Sequence, residues 1–123
     1  MKDQLTAQNS KSKIENRKSQ IPATPEPPYY AVIFTSVRTD VDDNYDDMAA
    51  RMVELASEQD GFLGIEHARD NIGITISYWR DEESIRRWKD HAEHRIAQRN
   101  GYEKWYSSFA TRVCKVERQN LKL

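Results

Sequence analysis

Phe62-Leu63-Gly64-Ile65-Glu66-His67-Ala68-Arg69-Asp70-Asn71-Ile72-Gly73-Ile74-Thr75-Ile76-Ser77-Tyr78 places two apolar runs on either side of a polar turn. Ile72, Ile74, Ile76 and Tyr78 recur with period two, the spacing of residues on one face of a strand. Phe62 to Ala68 reads as the strand before it, and Arg69-Asp70-Asn71 as the turn between them. The segment is therefore expected to form a β-hairpin in the middle of the chain, and the fold follows from what flanks it.

Upstream, apolar residues return at helical spacing in Met48, Met52, Leu55 and Ala56, with Ala49 and Val53 beside them. A helix is predicted from Tyr45, after the polar turn Asp40 to Asn44, to Gln59-Asp60-Gly61, where glycine tolerates the left-handed conformation that ends helices. Before it, Tyr29 to Arg38 has the β-branched and aromatic content of a strand, and both of its faces are apolar, which suits a central position covered on two sides. Downstream, Asp81 is placed to cap a second helix running to about Asn100-Gly101, with Glu82 and Glu83 in its first turn. A last strand is expected from Trp105 to about Glu117.

The order β-α-β-β-α-β predicts an α+β, ferredoxin-like fold: a four-stranded antiparallel sheet with both helices on one face. The last strand offers Trp105, Phe109 and Val113 on one parity and Tyr106, Ala110 and Cys114 on the other. Left wet, the face opposite the helices would expose more apolar surface than a monomer usually carries, so a homodimer through the sheet faces is expected. The domain is assigned to 29–117. A disordered N-terminal arm, 1–28, precedes it, rich in Lys, Gln, Ser and Asn and closed by a stiff proline cluster at Pro22, Pro25, Pro27 and Pro28. A polar tail, 118–123, follows.

Nineteen basic residues against twenty acidic ones leave no field to attract a polyanion, so nucleic acid is not an expected partner. No run approaches the roughly 20 apolar residues that cross a bilayer, and the first thirty carry no apolar stretch with a cleavage site. The expectation is no membrane partner and a cytoplasmic location. Cys114, the one cysteine, sits among Val113 and Val116 in a predicted strand with no histidine near it in sequence, and reads as a buried or semi-buried structural thiol.

On the second predicted helix, stepping about 100° per residue sets Lys89, Ala92 and Ile96 beside Ile85 on a buried stripe. Trp88, His91, Arg95 and Gln98 share one flank next to it, and His94 points to water. An indole, an imidazole, a guanidinium and an amide on one flank can hold a planar or anionic organic molecule. The same side chains also read as a wedge sealing the core edge, a surface ion pair and a boundary hydrogen bond. His67 shares the parity of Leu63 and Ile65; it enters the same cleft or serves as an interface histidine. His91 and His94 stand three residues apart with no cysteine or acid to complete a zinc spacing, so no metal is expected. There is no glycine-rich phosphate loop, nucleophile elbow or HExxH, and no cofactor is called for.

The stretch Ile74 to His91, with Tyr78-Trp79-Arg80-Asp81-Glu82-Glu83 leading into Ile85-Arg86-Arg87-Trp88, resembles the signature of the antibiotic biosynthesis monooxygenase superfamily, as does Asp60-Gly61-Phe62-Leu63-Gly64. The resemblance covers about Tyr29 to Glu117. It implies a dimeric α/β barrel of ferredoxin-like protomers. It also implies an oxygenase that works without metal or flavin on an aromatic phenol or quinol, with Trp88 and Tyr78 lining the pocket. His91 and Trp88 are then the candidate catalytic residues, and Tyr78, Arg95, Gln98 and His67 the candidate substrate-binding ones. A non-catalytic, ligand-binding or stress-related homodimer is the alternative. Haem-degrading relatives carry an iron-ligating histidine ten residues after the helix tryptophan and an asparagine on the first strand. Here those places hold Gln98, and Phe34 and Thr35.

Overall fold

The computed structural model describes residues 21–98 and 101–123, the side chains of 94–98 and 101 excepted. Residues 1–20 of the expected arm lie outside the described residues. In chain order the elements are β1 (Tyr29–Arg38), α1 (Tyr45–Ser57), β2 (Phe62–Arg69), β3 (Gly73–Trp79), α2 (Glu82–Gln98), α3 (Gly101–Trp105) and β4 (Tyr106–Val116). The strands lie in the order β2-β3-β1-β4, and β1–β3, β1–β4 and β2–β3 are all antiparallel. The ferredoxin-like arrangement and the central place of β1 are as the apolar pattern implies.

The expected α/β barrel is corrected. β2 and β4 lie at opposite edges of the sheet and do not pair, so the four strands form an open sheet rather than a closed one. β4 is exposed along most of its length on both faces, which also overturns the reading of Cys114 as a buried or semi-buried thiol: it is exposed on this edge strand. Trp105 is not a strand residue but ends α3. Its indole packs edge-on to Tyr45, and its carbonyl accepts the Thr39 N–H at 2.8 Å, fastening the end of β1 to the start of β4. Lys89, placed on the buried stripe by angle alone, is exposed, while Ile85 and Ala92 are buried.

The core centres on Trp79, which is fully buried between Ala56 of α1 and Ile85 of α2. Phe62 meets its ring edge-on at 5.5 Å, Trp88 stacks on it at 6.1 Å, and Tyr30 and Val32 pack around the cluster. The indole N–H donates to Ser77 Oγ at 2.8 Å, so the buried polar atom is satisfied. Trp79 fixes which face of the sheet the helices cover. The register then puts Ile65, Ser77, Val32 and Val113 on that face in one row, and His67, Thr75, Phe34 and Thr111 in the next.

The turns into the helices differ. Asp81 Oδ1 accepts the Ser84 N–H at 2.8 Å and the Ser84 hydroxyl at 2.7 Å, capping α2 as its place in the sequence predicts. These bonds, with Arg80 beside it, hold the Asp81 carboxyl down at about 2. Asn44 precedes α1 in the left-handed region (φ 64°) without a side-chain cap. Gly61, at φ 93°, closes the α1–β2 turn where a side chain would strike Ser84. On the face away from the helices, Tyr29 and Ala31 are buried. Pro22, also buried, lies over Gly64 there, and Gln119 Oε1 accepts from the Thr24 hydroxyl at 2.7 Å and the Tyr29 hydroxyl at 2.5 Å.

Truncating the two stacked indoles separates core from rim. Trp79→Ala is expected to cost about 3–5 kcal/mol, the range for a fully buried large aromatic, and Trp88→Ala measurably less because Trp88 is half-buried. Chemical denaturation of both variants checks the order, and equal losses would contradict this account of the core.

Candidate functional site

α2 follows β3 after the turn Arg80-Asp81 and packs against its Trp79 end. Ile85 meets Trp79 at the top, and Trp88 and His91 follow. The His91 ring lies against Trp88 with centroids 5.7 Å apart, which makes a continuous Trp79–Trp88–His91 stack along the inner flank of α2. His91 Nε2 is closed to solvent and, among the described residues, has no hydrogen-bond partner. An imidazole nitrogen so placed is a hydrogen-bonding group held against an apolar wall.

The other candidate residues fall in different places. His67 lies on the helix face of β2, in the row of Thr75 and Phe34, and is exposed at the sheet edge. Tyr78 lies on the opposite face from Trp88 and His91, because it neighbours Trp79 in a strand. There it packs edge-on to Tyr29 at 5.8 Å and donates a short hydrogen bond to Glu66. Burial first, and the Glu66 bond second, push its phenol well above the ordinary range. The side chains of Arg95, Gln98 and His94 lie outside the described residues.

Below the stack, sequence reasoning missed an aromatic group on the helix face. Phe34 meets Tyr102, Tyr106 and Phe109 at 6.3, 5.3 and 5.7 Å, and Tyr102 stacks on Phe109 at 4.8 Å. Strand parity alone sets Tyr106 opposite Phe109. A bulge at Val37/Arg38, which pairs Val37 with Ser108 but Arg38 with Tyr106, inserts one residue and turns Tyr106 to Phe109's face. The Tyr106 and Tyr45 hydroxyls share a hydrogen bond at 3.0 Å, and Arg38 lies 3.4 Å over the Tyr45 ring. Burial, and then the Tyr45 bond, hold the Tyr106 phenol protonated well beyond the ordinary range; burial and the charge of Glu93 raise Tyr102. The signal that was available was composition: Tyr102, Tyr106 and Phe109 at spacings of four and three.

Among the described residues no three His, Cys, Asp or Glu side chains gather as a metal-binding group. No described helix is long and apolar enough to cross a membrane. A haem does not fit the residues present: β1 turns Phe34 rather than an amide to the helix face, and the place ten residues after Trp88 holds Gln98 rather than a histidine. Two depressions lie away from the stack, one of about 190 Å³ lined by Asp43, Asn44, Met48, Lys104 and Trp105 and the other beside Lys115 to Asn120.

Tyr106→Phe tests the buried phenol. Because the folded-state phenol ionises less readily than the unfolded one at 10.0, the stability it confers is present below pH 10 and is lost as pH rises above it. The variant is expected to lose about 1 kcal/mol at neutral pH with the Tyr45 hydrogen bond. It should also show a shallower alkaline fall in Tm than the parent, and parallel profiles would contradict the burial.

The sequence pattern of the family described as antibiotic biosynthesis monooxygenase matches residues 28–100. The chain is 53% identical over 100 residues to YqjZ of Bacillus subtilis (strain 168), a match covering 80% of this chain and 88% of that protein. Its structure is similar to that of SnoaB, a cofactor-independent oxygenase from Streptomyces nogalater, with a TM-score of 0.59 and 19% identity across 77% of this chain and 98% of that one. It is similar also to PA3566 from Pseudomonas aeruginosa, with a TM-score of 0.59 and 16% identity across 78% and 99%. The two structures share the fold. The family match takes in β1 to β3 and both long helices, and with a relative more than half identical over most of its length it makes this chain a member of the antibiotic biosynthesis monooxygenase family.

Proposed function

We propose that this chain is a cofactor-independent monooxygenase that oxidises an electron-rich aromatic phenol or quinol bound between α2 and the sheet. The observation that carries the reading is the Trp79–Trp88–His91 ring series, which ends in a solvent-shielded Nε2 without a partner among the described residues. Family membership and the likeness to SnoaB support it.

In this mechanism Trp88 supplies a flat wall and His91 Nε2 accepts the phenolic proton. The resulting phenolate is electron-rich at the ring carbon para to oxygen and passes an electron to dioxygen. The radical pair couples to form a C–O bond, the peroxide O–O bond breaks with loss of water, and the remaining hydrogen on that carbon leaves as a proton. The sum is phenol plus O₂ giving quinone plus water, with the substrate as the sole electron donor. An apolar wall serves such chemistry by keeping water from the carbanion-like intermediate. Arg95 and Gln98, on the same flank of α2, and His67, across the sheet edge, are proposed to bind the substrate's oxygens. Tyr78 is left out, since it lies on the far face.

The alternative, a homodimer that binds a small molecule without turning it over, draws on one observation: the described depressions lie away from the stack. Oxygen uptake by metal-stripped protein with dihydroxynaphthalenes, quinols and anthrone-like phenols separates the two. Turnover that survives metal removal and falls by about 10²-fold or more in His91→Ala is expected of a positioned base. Uptake no faster than the uncatalysed rate with every substrate would favour the binding protein.

A homodimer through the sheet faces belongs to either version. It is supported by the far face, where Ile33 and Ile76 are only half-buried and Ile74 is 42% exposed. Ile74→Glu is expected to shift the protein to monomer in sedimentation, and a wild-type monomer would refute the assembly.

A further inference from the structure

The lower end of the helix face carries charge that the oxygenase chemistry does not use. Arg69, from the edge strand β2, does not point outward. Its guanidinium lies across Gly73, where any Cβ would strike it, and donates to Ser36 Oγ at 2.5 Å. Ser36 pairs with Phe109 across β1–β4, so a cation from one side of the sheet is delivered beside an aromatic ring on the other. Arg38 stands two residues further along β1, with its guanidinium 3.4 Å over the Tyr45 ring. Its Nη2 donates to the Val41 carbonyl at 2.9 Å and its Nε to the Trp105 carbonyl at 3.3 Å, and both arginines are close enough to bias Tyr106 electrostatically.

Among the described residues neither guanidinium has a carboxylate within 4.0 Å, which is true also of Arg86, Arg112 and Arg118; Arg69 and Arg38 differ in being held in place by neutral oxygens. A guanidinium held by neutral oxygens, as Arg69 is by Ser36, retains donors for an anion. Beside them Phe109, stacked by one face on Tyr102, is 48% exposed and offers apolar surface for a second ring. Ring surface and cation together define a ligand that is flat at one end and anionic at the other.

We propose that this corner binds the carboxylate of a planar aromatic acid, with Arg69 on the carboxylate, Arg38 adding positive charge nearby and Phe109 against the ring. The proposal deepens the reading of the helix face as an aromatic-substrate site and names the substrate class as aromatic carboxylates. Gly73 and Ser36 are positioning residues: one leaves the space that Arg69 crosses and the other holds its end.

Calorimetric titration of the full chain with 2-naphthoate and with the isosteric, uncharged 2-naphthamide tests this without any oxidation step. Wild type should bind the naphthoate about tenfold more tightly than the amide, as a charge-assisted contact requires. Arg69→Gln should lose most of that preference, Arg69→Lys should keep part of it, and Phe109→Ala should weaken both ligands alike. Arg69 and Phe109 are exposed, and unchanged melting curves would verify that the variants fold. Equal affinities in wild type, no binding of either probe, or a preference that survives Arg69→Gln would overturn the proposal. Naphthoate selectivity without oxygen uptake by any phenol would sink the oxygenase alone, and uptake without selectivity would sink this one alone.

Discussion

Everything on the helix face depends on how Trp79 is held. It ends β3, it is fully buried, and it receives α1 through Ala56 and α2 through Ile85. A side chain of that size leaves the two helices little choice of depth or rotation, because misplacing either opens a cavity around the indole. The rotation of α2 is what brings Trp88 onto the Trp79 ring and His91 onto Trp88. The chemistry proposed for His91 is therefore a by-product of packing: the imidazole is shielded because the core that orients it also excludes water.

Much of this was legible from local pattern. The alternation in Ile72 to Tyr78, the two-sided apolar run of β1 and the Asp81 cap each have a single physical cause within a few residues, and the strands and long helices fall where those causes put them. Trp88 and His91 were readable as neighbours because helical geometry alone places them on one flank. Lys89 shows the limit of that geometry: a long cationic stem beside the stripe by angle goes to solvent, where its charge is hydrated. Cys114 failed for a different reason, since an alternating run cannot say whether a strand is central or at an edge.

What was not legible depends on cross-strand register. Gly73, Ser36 and Arg69 are unremarkable apart; only the β1–β3–β2 alignment puts a glycine between a guanidinium and the hydroxyl it reaches. The closed barrel was misjudged similarly. Apolar residues on both faces of β1 do require cover, but the far side of Tyr29 and Ala31 is met in part by the chain itself, through Pro22 over Gly64 and the Thr24–Gln119–Tyr29 hydrogen bonds. Apolar pattern reports that a surface is covered, and not by what.

The bulge at Val37/Arg38 joins these threads. A regular ladder would have paired Arg38 with Ser107 and sent Tyr106 to the far face, next in parity to Ala110 and Cys114. One extra residue in β4 instead returns Tyr106 beneath Phe34 and Phe109, within hydrogen-bond reach of Tyr45. The short helix α3 makes that shift tolerable, because Trp105, anchored on Tyr45 and through its carbonyl to Thr39, fixes where β4 begins. The aromatic, cationic corner thus depends on an irregularity at the start of an edge strand, where a bulge disturbs the ladder with one neighbour only. The regular centre of the sheet supplies the rigid indole stack, and its irregular edge supplies the polar groups that can distinguish one aromatic ligand from another.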